Sequence, residues 1–225
     1  MAYLVANKYK TLTIDEFYQY KKGKLKLPKK SVLITFDDGW RNNFVYAYPI
    51  LKKYGLKATL FVVTGWIEAA SNSNDAPFQA VQHKECKKKA PTHPREVLCN
   101  WDELKKMADV FDIQAHTHTH RDDYFGTLDW QKDIILSREL LKQRLNIDSK
   151  HLCWPRGNYD IETIKLAKDA GFEVLYTTER GINLADNQLD YIKRIAVKKD
   201  ARWLRKTLKL FSSSLMGSIY AKLKA

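Results

Sequence analysis

This chain of 225 residues lacks several features that define other protein classes. It has only nine glycines and six prolines, with no repeats or compositional blocks, which excludes collagen-like, fibrous and fully disordered proteins. The longest apolar run, residues 58–67, is about half of the ~20 residues that a membrane-spanning helix needs. A glycine-rich phosphate-binding loop is also missing. Length and composition therefore predict one ordinary globular domain.

Cysteine and targeting signals are equally scarce. Cys86, Cys99 and Cys153 are an odd number at scattered spacing, so they do not indicate a disulfide framework. The first six residues lack the positive charge and the apolar length of a secretory signal. The sequence as written therefore predicts a cytoplasmic protein. A periplasmic or cell-envelope location is expected if the amino terminus has been trimmed.

Positive charge is in excess, with 39 Lys and Arg against 26 Asp and Glu, or +13 at neutral pH. Nucleic acid, anionic glycan and acidic membrane are the partners that such a charge permits. The basic residues are spread over 21–30, 84–89 and the last thirty positions, and no nucleic-acid reading module is recognisable, so we expect no nucleic-acid partner. The basic helix predicted over 201–225 either packs against the domain or makes peripheral contact with an anionic membrane.

From residue 31 onward, short β-branched runs alternate with amphipathic stretches, which predicts an α/β fold around a mostly parallel sheet. The expected strands are 31–36, 58–63, 111–115, 151–154, 173–177 and 191–197. The expected helices are 43–54 (closed by Gly55), 100–109 (capped by Asn100), 127–145 (opened by Thr127), 160–171 (capped by Asp160) and one after Asp200. Residues 69–98 break the rhythm and predict a surface insertion.

The first segment with chemistry is 35–39 (TFDDG), which places two carboxylates at the end of an apolar strand. Adjacent side chains on an extended chain point to opposite sides, so one aspartate can bind a metal while the other faces substrate or water. A capping turn without chemistry is the alternative for this motif alone.

The second segment is 116–120 (HTHTH), directly after a predicted strand. Three imidazoles within five residues are rare in a core, because each ring needs partners for two nitrogens. An extended backbone would put all three on one side, whereas a turn would bring His116 and His120 together. We favour a metal site made by His116, His120 and Asp38, with His118 on a solvated edge.

The third segment is 153–159 (CWPRGNY), again at a strand end. Trp154 and Tyr159 beside Pro155 and Gly157 indicate a rigid loop wall of the kind that stacks against sugar rings. Alone, it is also compatible with an ordinary turn.

Together, TFDDG, H-T-x-x-H and W-P-x-G-x-Y, each after a strand, resemble the polysaccharide deacetylase family, which is the NodB-homology domain of carbohydrate esterase family 4. The resemblance covers roughly residues 10–200 and includes weaker matches at 29–30, 58–62 and 192–195. From residues 9–13 onward the chain is similar to the branch that deacetylates β-1,6-linked poly-N-acetylglucosamine. The family resemblance divides the chain into an amino-terminal lead-in over 1–30, a deacetylase domain over 31–200 and the basic helix over 201–225.

This resemblance implies a distorted (β/α)₇ barrel in a single domain, with one divalent metal, most often Zn²⁺ and otherwise Co²⁺, Ni²⁺ or Mn²⁺. The implied activity is removal of acetyl groups from N-acetylhexosamine units of a glycan. By position, Asp37 resembles the catalytic base, and Asp38, His116 and His120 the metal ligands. Thr117 matches the hydroxyl residue that braces the histidine loop.

In this chemistry the metal polarises the acetyl carbonyl and lowers the pKa of a water towards about 7, while Asp37 takes the proton. A backbone N–H at or near Arg156 joins the metal in holding the oxyanion. Trp154, Pro155, Gly157 and Tyr159 complete the predicted substrate and oxyanion wall.

Two features differ from the family pattern. Cys153 stands where the family has an arginine that orients the base, and the Leu-x-x-His segment that supplies the general acid is absent. In the poly-N-acetylglucosamine branch that histidine comes from a strand ahead of the first motif. The alternatives are a substitute from His118, His151 or His93, a different native start, or a chain without its acid.

Three other hypotheses remain. A non-catalytic glycan-binding or scaffold domain would retain the fold without turnover. A metal-dependent phosphoesterase would use the same ligands on an anionic substrate. A separate zinc knuckle would draw on the insertion, with His83, Cys86, His93 and Cys99 as its ligands.

Overall fold

Short parallel strands form the framework of the protein. The structure, a computed structural model, describes residues 1–120, 129–197 and 199–211. The strands in these ranges are β1 (Lys10–Thr11), β2 (Ser31–Val32), β3 (Thr35–Phe36), β4 (Ala58–Val62), β5 (Phe111–Ala115), β6 (His151–Cys153), β7 (Val174–Arg180) and β8 (Ile192–Arg194). β1 pairs with β2, and β3 to β8 follow one another in chain order in a six-stranded sheet. Every pair within these two sheets is parallel.

β2 and β3 lie on one run of chain, so the strands occupy seven positions from β1 to β8. The sheet curls into a half-barrel, and the strands from β3 to β7 are joined through helices, whereas residues 181–191 connect β7 to β8 without a helix. The expected distorted (β/α)₇ barrel in a single domain is therefore confirmed. All strands point the same way, so their carboxyl ends meet at one mouth of the barrel.

The helices surround this sheet. They are α1 (Ala2–Ala6), α2 (Ile14–Lys21), α3 (Tyr48–Lys53), α4 (Thr64–Ser71), α5 (His83–Lys89), α6 (Pro94–Val97), α7 (Trp101–Met107), α8 (Trp130–Leu145), α9 (Ile161–Asp169) and α10 (Ala201–Phe211). A π-helical turn, Asn43–Ala47, precedes α3, and a 3₁₀ turn, Pro155–Gly157, follows β6.

Local signals explain several helix ends. Asn100 and Asp160 form capping boxes at the starts of α7 and α9, as the sequence predicts. Gly55 follows α3 with a φ of +61°, a conformation that glycine adopts without a steric cost. The predicted helix start at Thr127 lies outside the described residues, and α8 begins at Trp130 with the Asp129 side chain as its cap.

The alternation of side chains along the strands divides the core into two layers. On β4, Leu60 and Val62 pack into the layer between sheet and helices. Phe61 points the other way, into the barrel, where it contacts Cys153 and Tyr176 in a second cluster. These side chains have no exposed area, and burying each contributes about 1.5–3 kcal/mol. The curled sheet therefore has two packed faces, which fixes the positions of its strand ends.

The segment predicted as a surface insertion, 69–98, is anchored at its carboxyl end. Val97 and Leu98 are fully buried, and Leu98 forms an antiparallel bridge with Trp40. α5 and α6 lie within the segment. The last part of the insertion is thus part of the core, while residues 71–75 are exposed.

At the other end of the chain, α10 buries Thr207 and Phe211 and leaves Arg205 and Lys206 exposed. Its described part therefore packs one face against the protein. The apolar positions 215, 219 and 223 of the predicted basic helix lie outside the described residues. Among the helices within the described ranges, none combines the length and the apolar character that crossing a bilayer requires.

Candidate active site

The three sequence motifs follow β3, β5 and β6 and meet at the carboxyl mouth of the barrel. Asp38, His116 and His120 form one cluster of ligand atoms, and Asp37, His116 and Cys153 form another that shares His116. In each cluster the ligand atoms lie within 4.8 Å of one another. The fold thus brings together residues that are more than a hundred positions apart in the chain.

The spacing of the first cluster fits one small divalent cation. Asp38 Oδ1 lies 3.3 Å from His116 Nε2 and 3.5 Å from His120 Nε2. In a tetrahedral zinc site with bonds of about 2.0–2.2 Å, neighbouring ligand atoms are roughly 3.3–3.6 Å apart. One carboxylate and two imidazoles are also a ligand set that zinc and its first-row neighbours accept.

Hydrogen bonds from neighbouring groups orient these candidate ligands. His116 Nδ1 donates to the carbonyl oxygen of Cys153 at 2.7 Å, which leaves Nε2 as the nitrogen facing Asp38. The indole N–H of Trp40 donates to Asp38 Oδ2 at 2.7 Å, so Oδ1 is the oxygen that faces the histidines. Contacts of this kind fix the tautomer and rotamer of metal ligands in proteins.

The electrostatics of the cluster also suit a cation. Burial raises the pKa of Asp38, but its contacts with His116 and His120 outweigh that effect and hold the pKa well below its usual range. Burial, followed by the charge of His116, lowers the pKa of His120 to about 3. Asp38 is therefore anionic and His120 neutral near pH 7, as metal ligation requires. Burial lowers the pKa of His116, but its contacts with Cys153 and Asp38 outweigh that effect and raise the pKa, so His116 would release a proton on binding an ion.

Backbone strain is concentrated in the same loops. Among the described residues, seven other than glycine have a positive φ, and Asp38 (+76°), Thr117 (+62°), His120 (+58°) and Arg156 (+57°) are four of them. Each such residue costs on the order of 1 kcal/mol or more, and such residues cluster at functional sites. The left-handed turn at Asp38 replaces the simple extended alternation that the sequence predicts for Asp37 and Asp38.

The histidine loop is held by side chains from other elements. The hydroxyl of Thr117 accepts a hydrogen bond from the His120 N–H at 3.2 Å. Asp133, a fully buried residue of α8, accepts hydrogen bonds through Oδ1 from the His118 N–H (3.1 Å) and the Thr119 N–H (2.7 Å). Sequence reasoning missed Asp133. The one available signal was an acidic residue on the apolar face of a predicted helix.

Close packing against α4 also restricts this loop. The Gly65 N–H donates to the His118 carbonyl at 2.8 Å, and a Cβ at position 65 would lie 2.6 Å from that oxygen. His118 Nδ1 lies 2.9 Å from the hydroxyl of Thr64. The ring of His118 thus turns towards α4, while His116 and His120 face Asp38.

Asp37 has an arginine partner that was not anticipated. Arg194, on β8, places Nη1 2.7 Å from Asp37 Oδ1, and its Nε donates to the carbonyl oxygen of Thr177 at 2.9 Å. Cys153 contacts the other carboxylate oxygen through Sγ at 3.9 Å. The neutral Cys153 cannot pair with Asp37 as an arginine at that position would, and Arg194 from the last strand provides the positive charge instead. The signal was present in the weak family match at 192–195.

Burial and the nearby Asp37 raise the pKa of the Cys153 thiol. The thiol is therefore protonated and a poor metal ligand near neutral pH, since the thiolate is the form that binds. Of the two ligand clusters, the one built on Asp38, His116 and His120 is the better cation site.

The third segment requires a correction. Trp154 has no exposed surface and packs edge-on against Trp130, with a ring separation of 5.9 Å. The expectation that its ring stacks on a sugar is therefore wrong, because the ring belongs to the core between sheet and helices. Pro155 is also buried, whereas Arg156 is exposed and Tyr159 is half-buried.

The turn that follows Trp154 is tightly constrained. Gly157 has a φ of +70°, and a Cβ there would lie 2.1 Å from Thr178 Oγ1, so only glycine fits. Arg156 lies close enough to His120 for its charge to contribute to the low pKa of that histidine. Tyr159 donates from its hydroxyl to Glu179 at 2.6 Å. Arg156 thus lies near His120, and the close packing of Gly157 against Thr178 fixes the turn that carries it.

The histidines considered as substitute acids have other contacts. His151 is buried at the amino end of β6, with Nδ1 3.1 Å from the hydroxyl of Tyr176. His93 is exposed in the insertion, with Nδ1 2.9 Å from Thr92 Oγ1. The alternative hypothesis of a separate zinc knuckle is contradicted within the described residues. In the described part of the chain, the groups of side chains that could hold a metal ion are the two at the barrel mouth. Cys99 is buried, and its Sγ is directed at the Trp40 carbonyl.

Comparisons with known proteins agree with this architecture. The chain is 30% identical over 199 residues to YxkH of Bacillus subtilis, which is named as a polysaccharide deacetylase, and the match covers 88% of this chain and 62% of that protein. It is 28% identical over 201 residues to the poly-β-1,6-N-acetyl-D-glucosamine N-deacetylase of Staphylococcus aureus, covering 85% of this chain and 62% of that enzyme. The chain thus spans less than two thirds of the length of these curated relatives.

Solved structures show the same relationship. The deacetylase PplD of Streptococcus pyogenes, in complex with acetate, superposes with a TM-score of 0.69 at 27% identity, over 87% of this chain and 77% of that one. IcaB of Ammonifex degensii superposes with a TM-score of 0.69 at 21% identity, over 89% of this chain and 82% of that one, a likeness of fold alone. A family model described as polysaccharide deacetylase matches residues 24–175. With its motifs gathered at one barrel mouth and this match across most of its length, the chain belongs to the polysaccharide deacetylase family.

Proposed function

We propose that the protein is a metal-dependent deacetylase that removes acetyl groups from N-acetylhexosamine units of a polysaccharide or glycan precursor. The observation that carries the proposal is the pairing of two carboxylates with different surroundings. Asp38 faces two imidazole nitrogens, at 3.3 and 3.5 Å, while Asp37 faces an arginine at 2.7 Å. One carboxylate is thus placed to hold a cation and the other to handle a proton.

Asp38, His116 and His120 would hold the ion, and Zn²⁺ fits their donor set and spacing. When bound, such an ion supplies Lewis-acid polarisation of the acetyl carbonyl and lowers the pKa of water. Asp38 and His116 are held by Trp40 and by the Cys153 carbonyl, so little reorganisation accompanies binding.

Asp37 acts as the base in this proposal. Its side chain is about a third exposed, at 31%, so water and substrate reach it. Arg194 holds one oxygen of the carboxylate, and the other oxygen lies 3.9 Å from the Cys153 thiol. As water attacks the acetyl carbon, Asp37 takes its proton, a step that typically contributes 10²–10⁴-fold to the rate.

The leaving nitrogen then needs a proton, and we assign its return to the Asp37 carboxyl that has just accepted one. The rings of His118, His93 and His151 contact the hydroxyls of Thr64, Thr92 and Tyr176 instead. The proton count balances, since water provides one proton to the amine and its hydroxyl to the acetate. The backbone N–H of the exposed Arg156 would contribute to holding the developing oxyanion, because the Gly157 N–H already donates to the Trp154 carbonyl at 3.0 Å.

The alternative, a non-catalytic glycan-binding domain, loses one of the two observations that supported it. It depended partly on the cysteine at position 153, and Arg194 supplies the cation that this position lacks. The S. aureus relative, which is named for its action on poly-β-1,6-N-acetylglucosamine, makes that polymer the first substrate to test.

The test is acetate release from poly-β-1,6-N-acetylglucosamine oligomers and from a small acetyl ester, with protein loaded with Zn²⁺ or Co²⁺. We expect turnover that falls by at least a hundredfold in Asp37→Asn at unchanged metal content. Asp169→Asn, at a carboxylate 60% exposed, is the matched control and retains activity. Turnover that survives Asp37→Asn, or no acetate release by any metal-loaded form, would overturn the proposal.

A further inference from the structure

A cavity lies between the insertion and the π-helical turn Asn43–Ala47. Its volume is about 290 Å³. It is lined by Asn42, Tyr46, Phe78, Gln79, Ala80, Val81, Gln82, Cys86 and Val97. Pockets for drug-sized ligands span about 300–1,000 Å³, so this one is large enough for a single ring rather than for a long oligomer.

The wall that the insertion contributes is firmly attached to the barrel. Glu103 of α7 accepts a bidentate pair of hydrogen bonds from Arg95, at 2.8 and 2.9 Å, and a third from Arg41 Nε at 3.0 Å. All three side chains are buried. The Arg41 N–H also donates to the Val97 carbonyl at 2.7 Å. The cavity is therefore a preformed feature rather than a gap under a loose loop.

The chemistry of the lining is that of a sugar site. Tyr46 is 51% exposed, and its ring meets Phe78 edge to face at 5.6 Å, so an aromatic surface is presented at the opening. The side-chain amides of Asn42, Gln79 and Gln82 add donors and acceptors without formal charge. Apolar ring faces together with a few uncharged polar groups match a pyranose, which has both apolar faces and hydroxyl edges.

Trp40 connects this cavity to the metal cluster. Its ring belongs to the same apolar cluster as Cys86 and Val97, two residues of the cavity wall. Its indole N–H donates to Asp38 Oδ2 at 2.7 Å. His83, next to the lining residue Gln82, packs edge-on against the Trp40 ring at 5.5 Å. One indole thus donates to the carboxylate that would hold the cation and shares an apolar cluster with two residues of the cavity wall.

We infer that this cavity is an accessory subsite that binds one uncharged sugar unit of the glycan chain, next to the unit whose acetyl group is removed. The inference rests on the proposed function for the identity of the glycan. The subsite would favour chains over single sugars, because a monosaccharide held at the metal cluster cannot reach past Trp40. The insertion would then determine preference for substrate length.

The kinetic test compares substrates of different length in Tyr46→Ala and Phe78→Ala. For each protein, kcat/KM is measured on N-acetylglucosamine oligomers of one to five units and on a small acetyl ester. We expect the ratio of pentamer to ester activity to fall about tenfold in each variant, the size of one lost aromatic contact. Tyr54→Ala, which removes a 36% exposed ring at the end of α3, is the matched control with an unchanged ratio.

A direct binding test uses the only cysteine of the three with any exposed area. Cys86 lines the cavity at 7% exposure, whereas Cys99 and Cys153 have none. We expect pentamer to slow alkylation of Cys86 at least fivefold in the wild type and less than twofold in Tyr46→Ala. Acetate, as a small control, leaves the rate unchanged.

The two tests separate this inference from the proposed function. Protection of Cys86 by glycan without any deacetylation would support the subsite and refute the proposed function. Deacetylation whose length dependence survives both aromatic variants, or an unprotected Cys86, would refute the subsite and leave the proposed function intact. Gln79→Ala is the second variant should Phe78→Ala fail to fold, and the same fall in the ratio is expected.

Discussion

Replacing Asp133 with alanine is expected to loosen the loop that carries both histidine ligands. Asp133 is fully buried on α8, and its Oδ1 accepts the N–H groups of His118 and Thr119, at 3.1 and 2.7 Å. Alanine leaves the buried Thr119 N–H and the partly buried His118 N–H without an acceptor, and a buried donor in that state costs about 1–3 kcal/mol. We therefore expect the free energy of unfolding to fall by about 2–5 kcal/mol. For a chain of this length that lowers Tm by roughly 2–4 °C per kcal/mol.

The effect on metal binding is the more informative part. Thr119 lies between the two candidate ligands in the sequence, and the loss of a group that orients metal ligands typically reduces metal affinity by about 10–100-fold. Zinc affinity measured by competition with a chromogenic chelator should fall within that range in Asp133→Ala. Asp133→Asn, which retains an Oδ1 acceptor, should lose less than half as much free energy. Asp129→Ala removes only the cap of α8, so it should cost about 1 kcal/mol and leave zinc affinity unchanged.

One result would refute this reasoning about the loop. If Asp133→Ala lost stability as expected but bound zinc as tightly as the wild type, the aspartate would stabilise α8 without positioning the ligands. The Asp129→Ala control separates the two outcomes, because it destabilises the same helix from its exposed end.

Three further predictions concern other parts of the fold. Arg194→Gln should lower kcat/KM for acetate release by at least tenfold at unchanged metal content, because it removes the cation beside Asp37. Arg194→Lys should recover part of that activity. An equal loss in both variants would contradict a role for the cation at Asp37. Glu103→Gln leaves two buried arginines facing each other, so urea unfolding should show a loss of about 3–5 kcal/mol, and a loss below 1 kcal/mol would contradict the buried network. Burial lowers the pKa of His151 to about 3 in the folded protein, whereas the pKa is roughly 6.5 in the unfolded chain. Between these values the unfolded state binds one more proton than the folded state, so the free energy of unfolding falls as the pH drops. From pH 7 to pH 5 this amounts to about 2 kcal/mol, and denaturant melts of His151→Gln should lack that part of the decline.

Elements with local determinants could be predicted from the sequence. The helix starts at Asn100 and Asp160 depend on capping boxes within four residues, and the end of α3 depends on one glycine. β4 is an almost wholly apolar run and β5 alternates apolar with polar residues, and both appear within one residue of the predicted bounds. The convergence of the three motifs could also be anticipated, because parallel strands end at one mouth.

Contacts across the barrel could not be predicted in this way. Arg194 and Asp37 are 157 positions apart, and they meet because the curl of the sheet brings β8 round towards the end of β3. The burial of Trp154 follows from the same curl, since its side chain points towards the helices and not into the mouth. When only the local sequence is considered, a cysteine at position 153 indicates that Asp37 has lost its positively charged partner. The closed fold places an arginine from another strand at the same carboxylate.

The distribution of strain shows how a stable fold supports this site. The left-handed residues Asp38, Thr117, His120 and Arg156 all lie in the three loops at the barrel mouth. Their combined cost, on the order of several kcal/mol, is comparable with the net stability of a typical domain, so the surrounding structure must offset it. Buried contacts such as those of Asp133 with the histidine loop and of Gly65 with the His118 carbonyl supply that support. The ligand geometry therefore depends on α4 and α8 as much as on the motifs, and substitutions in those helices should change metal affinity without touching a ligand.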